Sequence, residues 1–386
     1  MSPKPAPQKK TSAAPRGNKP PSPKWVWIGL AVLGLLFGVA GFWENFKTTL
    51  SQTSLGESGF TPAKAYPSLR VDNGIPYVAF MDRAQGNRAT VMKLTEGQWE
   101  PVGSPGFTAG SANPSLYING GTPYVIYGDS SKGDGGENIN VMKFDGIKWV
   151  PAVENGYSAR STDWTSTFLY EGKPYLVYSD KDRSGKADLM TYEKGRWIPV
   201  GTTGFTPGRA AGASVFVDNG TPYVAFSDSA QFNKATVMKY DGRSWVTVGP
   251  AGFTLSYVSG IKLFVSNGTP YVAYGDGGNV GKATVRKFVG GNWVLVGQAG
   301  FTPSPPSLLS LVVEAGTPYV AYGRSGGPET KAAVMKFNGT DWVPAGALGE
   351  AAQKSAYLSL SVDKGIPYLA YPDESRGGRA SVVALR

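Results

Sequence analysis

One pattern of four short β-type runs recurs seven times along this chain, and it restricts the fold more than any other feature. The copy from Ser214 to Gly249 reads SVFVDNGTPYVAFSDSAQFNKATVMKYDGRSWVTVG. SVFV, TPYVAF, ATVMKY and SWVTV are rich in β-branched and aromatic residues, and DNG, DSAQFNK and DGRS punctuate them as turns. Four such strands make one small antiparallel sheet, which buries too little surface to stand alone. Seven in series predict a β-propeller.

The Pro-Tyr that opens the second run falls at Tyr77, Tyr124, Tyr175, Tyr223, Tyr271, Tyr319 and Tyr368, a period near 48 residues that suits one four-stranded blade. The Trp of the fourth run appears only six times in register, at Trp99, Trp149, Trp197, Trp245, Trp293 and Trp342. The chain ends on ASVVALR, the third run of the last unit. QTSLGESGFT, from Gln52 to Thr61, lies in register with WEPVGSPGFT, from Trp99 to Thr108, with Gln52 in place of Trp and Leu55 in place of Val102. The first ordered strand should therefore complete the last blade and remove both open sheet edges. The Trp strand is then outermost, and the strand carrying Ser-Leu-x-Val (Ser68 to Val71, Ser359 to Val362) lines the centre.

The segments before the repeats read differently. Residues 1–24 carry seven prolines, six basic residues and no acid, a composition that cannot offset its ordering entropy by burial and predicts a disordered tail. Residues 25–43, WVWIGLAVLGLLFGVAGFW, are 19 without charge, and at about 1.5 Å per residue they match the hydrocarbon thickness of a bilayer. Trp25, Trp27 and Trp43 suit the two interfaces as a membrane anchor. An uncleaved signal anchor with a cytoplasmic N-terminus and a periplasmic or extracellular propeller is the expectation, with a cleaved signal at Gly38-Val39-Ala40 as the rival. Residues 44–50 form a short linker and 51–386 the propeller.

The net charge of +10 is concentrated in the tail: without its six basic residues the remainder holds 32 Lys and Arg against 28 Asp and Glu. That is no nucleic-acid footprint. With no His and no Cys, the chain lacks Ser-His-Asp and Cys-His nucleophilic sites, His- or Cys-based zinc sites and c-type haem attachment. No cofactor is called for. Paired carboxylates for glycoside hydrolysis remain available, although none stands out from the repeat.

Residues that recur in every unit are read first as what every blade needs. The Phe of GFT anchors the crossover between blades, and Met92, Met142, Met190, Met238 and Met335 fill space between sheets. The six Trp pack the outer strand or, alternatively, form sugar platforms. Asp82, Asp180, Asp228, Asp276 and Asp373 each precede a Lys or Arg by six residues across one hairpin, which predicts an ion pair or an Asp-capped turn. DKDRSG, from Asp180 to Gly185, resembles half a calcium loop, for which the hairpin turn is the simpler reading.

The loops between the second and third strands vary, whereas VDNG and DGxxW on the opposite face are uniform. Variation over a rigid scaffold marks the face free to specialise. Its distinctive residues are Arg83, Lys132, Asp134, Glu137, Lys181, Asp182, Arg183, Phe232 and Arg376, with Trp164 on a crossover; the third unit diverges most.

WVTVGPAGFT, NGTPYVAYGD and GKATVRKFVGGNW resemble the roughly 48-residue propeller repeats of bacterial secreted and surface proteins. The resemblance covers about Gln52 to Arg386 and implies a propeller in an extracytoplasmic setting, with no catalytic residues to transfer. The expected function is a non-enzymatic scaffold or recognition module for a protein partner in an envelope or membrane complex, tethered to the bilayer by residues 25–43. A glycan-binding lectin is the first alternative, and a polysaccharide hydrolase or lyase the second.

Overall fold

In the computed structural model, which describes residues 51–129, 137–154, 156–159, 162–326 and 331–386, the recurring unit is a four-stranded antiparallel sheet. Leu50–Arg386 forms one unit. The tail, the apolar segment of residues 25–43 with Trp25, Trp27 and Trp43, and residues 44–50 lie outside the described residues. Among those described, no helix is long and apolar enough to cross a membrane.

Blade one shows the plan: Ser68–Asp72 innermost, then Ile75–Asp82, Arg88–Thr95 and Gln98–Pro101 outermost. Its second strand is buried on both sides because each sheet is covered by a neighbour on each face. That is why TPYVAF-type runs read as nearly continuous apolar stretches. The core is correspondingly divided into clusters between adjacent blades. Leu69, Val78 and Phe80 of blade one, for example, pack with Tyr368, Ala370 and Val382 of blade seven.

The ring closes as the register predicts. Gln52–Ser54 pairs with Arg379–Leu385, Gln52 opposite Leu385 and Ser54 opposite Val383. The Leu55 N–H then donates to Val382 O at 3.0 Å, as Val102 N–H does to Val91 O at 2.8 Å in blade one. Gln52 replaces the Trp with the polarity reversed: its Oε1 accepts from Gly349 N–H at 2.8 Å.

The outer Trp residues are packing elements. Phe60 stacks on Trp99, Phe107 on Trp149, Phe205 on Trp245, Phe253 on Trp293 and Phe301 on Trp342, at centroid distances of 3.9–4.4 Å. Each of these indole N–H groups donates to the carbonyl of the residue just after the preceding blade's outer strand, as Trp149 does to Val102 at 2.7 Å. One face and the polar edge of each of these five rings are thus committed to the blade interface, as the packing reading expects. The Thr of GFT is a second staple: Thr108 Oγ1 accepts from Ala89 N–H at 3.0 Å and donates to Gly110 O at 2.9 Å.

Two local departures correct the uniform four-stranded expectation. In blade two, Trp149–Pro151 and then Tyr157–Ala159 both pair with Glu137–Phe144, giving five strands. In the last crossover, where GFT is absent, Glu350–Gln353 turns into a short helix with Ala352 buried, while Leu348 is buried at the Phe position.

Candidate functional site

The variable face is built on a frame that repeats in blades one, three, four, five and seven. Each second strand ends on an aspartate that N-caps a single 3-10 turn, as Asp82 does by accepting from Ala84 N–H at 3.0 Å. The turn closes on a residue in the left-handed region: Gly86, Ser184, Phe232, Val280 or Gly377. The second carboxylate oxygen accepts from a hydroxyl of the third strand, Thr90 to Asp82 at 2.9 Å, Thr236 to Asp228 at 3.1 Å and Thr284 to Asp276 at 3.0 Å. The recurring aspartates are therefore caps inside a rigid loop, the second of the two structural readings their spacing allowed.

The predicted residues are distributed around this face rather than gathered into one cleft. Arg83 opens the turn of blade one, and Arg376 ends that of blade seven with its Nε 3.8 Å from Asp373 Oδ2. Lys181, Asp182 and Arg183 form the turn of blade three. There Arg183 Nε donates to Asp180 Oδ2 at 3.0 Å, so an arginine already occupies the carboxylate that the calcium reading required. Trp164 is half-buried and donates to Ala210 O at 2.8 Å, which assigns it to packing between blades three and four. Glu137 begins the third strand of blade two, and Lys132 and Asp134 lie outside the described residues.

Phe232 stands apart. Its φ is 57° and it is 85% exposed, a bulky side chain at a position where blades one and seven carry glycine. Val280 repeats this in blade five at φ 55° and 81% exposed. The crossover between these two blades carries exposed Leu255 and Tyr257, and backbone bonds tie the three segments together: Val258 N–H to Asn233 O and Gly277 N–H to Tyr257 O, both 3.0 Å. The sequence reading found Phe232 and missed the other three, because an apolar residue in a short loop announces nothing until the loop's geometry fixes which way it faces.

Blade three contains the polar network that departs most from the repeat. Asp188 stands where Thr90, Thr236 and Thr284 stand elsewhere, is buried, and accepts from Gly204 N–H and, at 3.1 Å, from Tyr178 Oη–H. Tyr157 and Tyr178 share a hydrogen bond of 2.7 Å, and Arg183 Nε lies 3.8 Å from Asp188. Burial first, then the neighbouring tyrosine and aspartate, push the Tyr178 phenol far up, so it stays protonated at neutral pH. Every oxygen of Asp188 is engaged. The network serves as that blade's staple, taking the place of the Thr–Asp bond of blades one, four and five.

The axis is a channel with a cavity of about 520 Å³, lined by the inner strands of all seven blades. Tyr117, Phe168, Phe216 and Phe264 form an aromatic arc along its wall, with neighbouring centroids 6.1, 4.5 and 4.6 Å apart. Arg70 and Lys262 enter the same lumen. Clefts of about 580 and 590 Å³ on the turn side, between blades five and six and between one and two, use register-equivalent residues and belong to the repeat.

No protein-family model matches the chain, and none of the curated proteins is similar to it in sequence. Solved structures are similar in fold. A prolyl endopeptidase structure aligns at 13% identity and a TM-score of 0.52 over 86% of this chain, which spans about half, 51%, of that one. The β-propeller domain of the Trilobed protease from Pyrococcus furiosus aligns at 10% identity, TM-score 0.51, over 80% of this chain and 91% of that one. Polysaccharide lyase Uly1 aligns at 12% identity, TM-score 0.50, over 84% and 90%. At such identities the likeness is one of architecture alone.

Proposed function

We propose that this chain is a non-catalytic recognition module that binds a protein partner through its loop face, centred on blades four and five. The observation that carries this reading is the cluster of Phe232, Leu255, Tyr257 and Val280, exposed by 85, 87, 56 and 81% on a hydrogen-bonded frame. Left-handed backbone at a non-glycine residue costs roughly 1–2 kcal/mol, a cost that two adjacent blades carry for side chains that contribute no burial. Solvent-exposed apolar side chains on a rigid support mark an interaction surface. The 19 uncharged residues before the propeller support tethering to a bilayer, which would raise the effective concentration toward membrane neighbours.

A catalytic reading finds less support. The chain has no His or Cys, and among the described residues no cluster of acids is arranged to hold a metal. The test is site-specific photo-crosslinking in the native membranes, with a benzophenone amino acid at position 232, at position 280, or at position 147 in a turn of the opposite face. The same discrete adduct from 232 and 280, absent from 147, is expected. Equal labelling from all three positions would refute the assignment.

A further inference from the structure

The Ser of the inner-strand motif has a structural task. An innermost strand has one edge with no strand partner, and its N–H groups donate to the serine of the preceding blade: Leu69 to Ser359 at 2.9 Å, Leu116 to Ser68 at 3.0 Å and Leu263 to Ser214 at 3.1 Å. Serine occupies that position in six units; in blade five it is Lys262. The substitution gives up a staple and places a cation in the lumen. Lys262 is exposed to water through the lumen, and desolvation by the surrounding protein lowers its pKa, with no carboxylate among the described residues acting against this.

Arg70 departs from the repeat in the same way. Its register neighbours around the channel are Tyr117, Phe168, Phe216, Phe264, Val312 and Ser361. Its Nη1 donates to Leu69 O at 2.7 Å, and the guanidinium lies 5.3 Å from the Tyr117 ring centroid. The ionisable groups acting on it are the Tyr117 and Tyr357 phenols, and desolvation outweighs both. Among the described residues the only carboxylate in the lining is Asp72, at the turn end of the strand. Both cations line the channel and neither has a carboxylate partner among the described residues, so both remain available to a mobile anion. The rim is open toward blades four and five: Gly212 and Gly260 stand at the positions of Tyr66, Trp164 and Tyr357, and a Cβ on either would meet nothing within 4 Å.

We infer that the axial channel binds a carboxylate-bearing ring of monosaccharide size, with Arg70 and Lys262 holding the carboxylate and the Tyr117–Phe264 arc covering an apolar ring face. Aromatic faces accept the C–H side of a saccharide or other ring, the cations fix its orientation, and the cavity's size falls within the usual range for small-molecule sites. This site is distinct from the apolar patch in position and in ligand chemistry, and either assignment can fail without the other.

The test is isothermal titration of the full-length protein with glucuronate, with glucose as the neutral ring and acetate as the ringless carboxylate. Saturable binding of glucuronate, at least tenfold tighter than either control, is expected. Lys262→Ser installs the residue of the other six units and should fold at least as well as the parent while weakening glucuronate at least tenfold; Arg70→Gln should do the same to binding. Acetate binding as tightly as glucuronate would overturn the ring site. Glucose binding equally well, absence of glucuronate binding, or undiminished binding by a well-folded Lys262→Ser variant would overturn the inference.

Discussion

Among single residues, one buried aromatic position of the second strand is Phe in two blades and Tyr in the other five. Phe80 and Phe226 occupy it in blades one and four, and Tyr127, Tyr274 and Tyr371 in blades two, five and seven. Burial pushes each of those three phenols up to about 12 from the ordinary 10.0. Between pH 10 and 12 the unfolded chain has released protons that the folded chain retains, so stability falls as pH rises through that window and is unaffected below it. Urea midpoints measured at pH 8 and pH 10.5 should show the loss, and Tyr127→Phe should reduce it while leaving the pH 8 value within about 1 kcal/mol. At this scale the sequence was legible wherever a residue repeats. It was less so where one residue changes: Lys262 is visible as the one break in a column of serines, whereas Arg70 falls at a variable position and resembles any surface arginine. Trp164 stands out in the sequence as an isolated Trp at a divergent crossover, and its hydrogen bond to Ala210 O could not be read there.

At the level of elements, the closing strand matters more than its length suggests. Gln52–Ser54 is three residues long, yet it pairs with Val383, Ala384 and Leu385, and the Leu55 N–H to Val382 O and Phe60 N–H to Ala380 O bonds carry the cover further along Arg379–Leu385. Leu55→Pro removes that donor and should lower the unfolding midpoint and promote aggregation on heating, since the exposed edge of the last blade becomes a template for pairing. A thermal scan followed by light scattering reads both effects, and an unchanged, reversible transition would show that closure contributes little. The register of this strand could be read from QTSLGESGFT because it matches the other outer strands position for position. The fifth strand at Tyr157–Ala159 and the short helix at Glu350–Gln353 could not, because both arise where a crossover has lost GFT and no other unit provides a template.

Across the whole propeller, the two faces are built for different tasks. The turn face repeats itself, while the loop face holds a common frame of aspartate caps and lets the tips diverge, so function should concentrate where the frame carries a side chain it does not need. Phe232 and Val280 meet that description, and glycine at the same position in blades one and seven shows what the frame prefers. The most direct measurement is therefore paired: thermal stability and partner crosslinking from position 255 for Phe232→Gly, Val280→Gly and the double variant. The account predicts that each glycine raises the midpoint by roughly 1–2 °C through relief of left-handed strain, while the double variant loses at least nine-tenths of the crosslinked adduct. Glycine variants that are less stable than the parent, or equally stable ones that capture the partner undiminished, would contradict it.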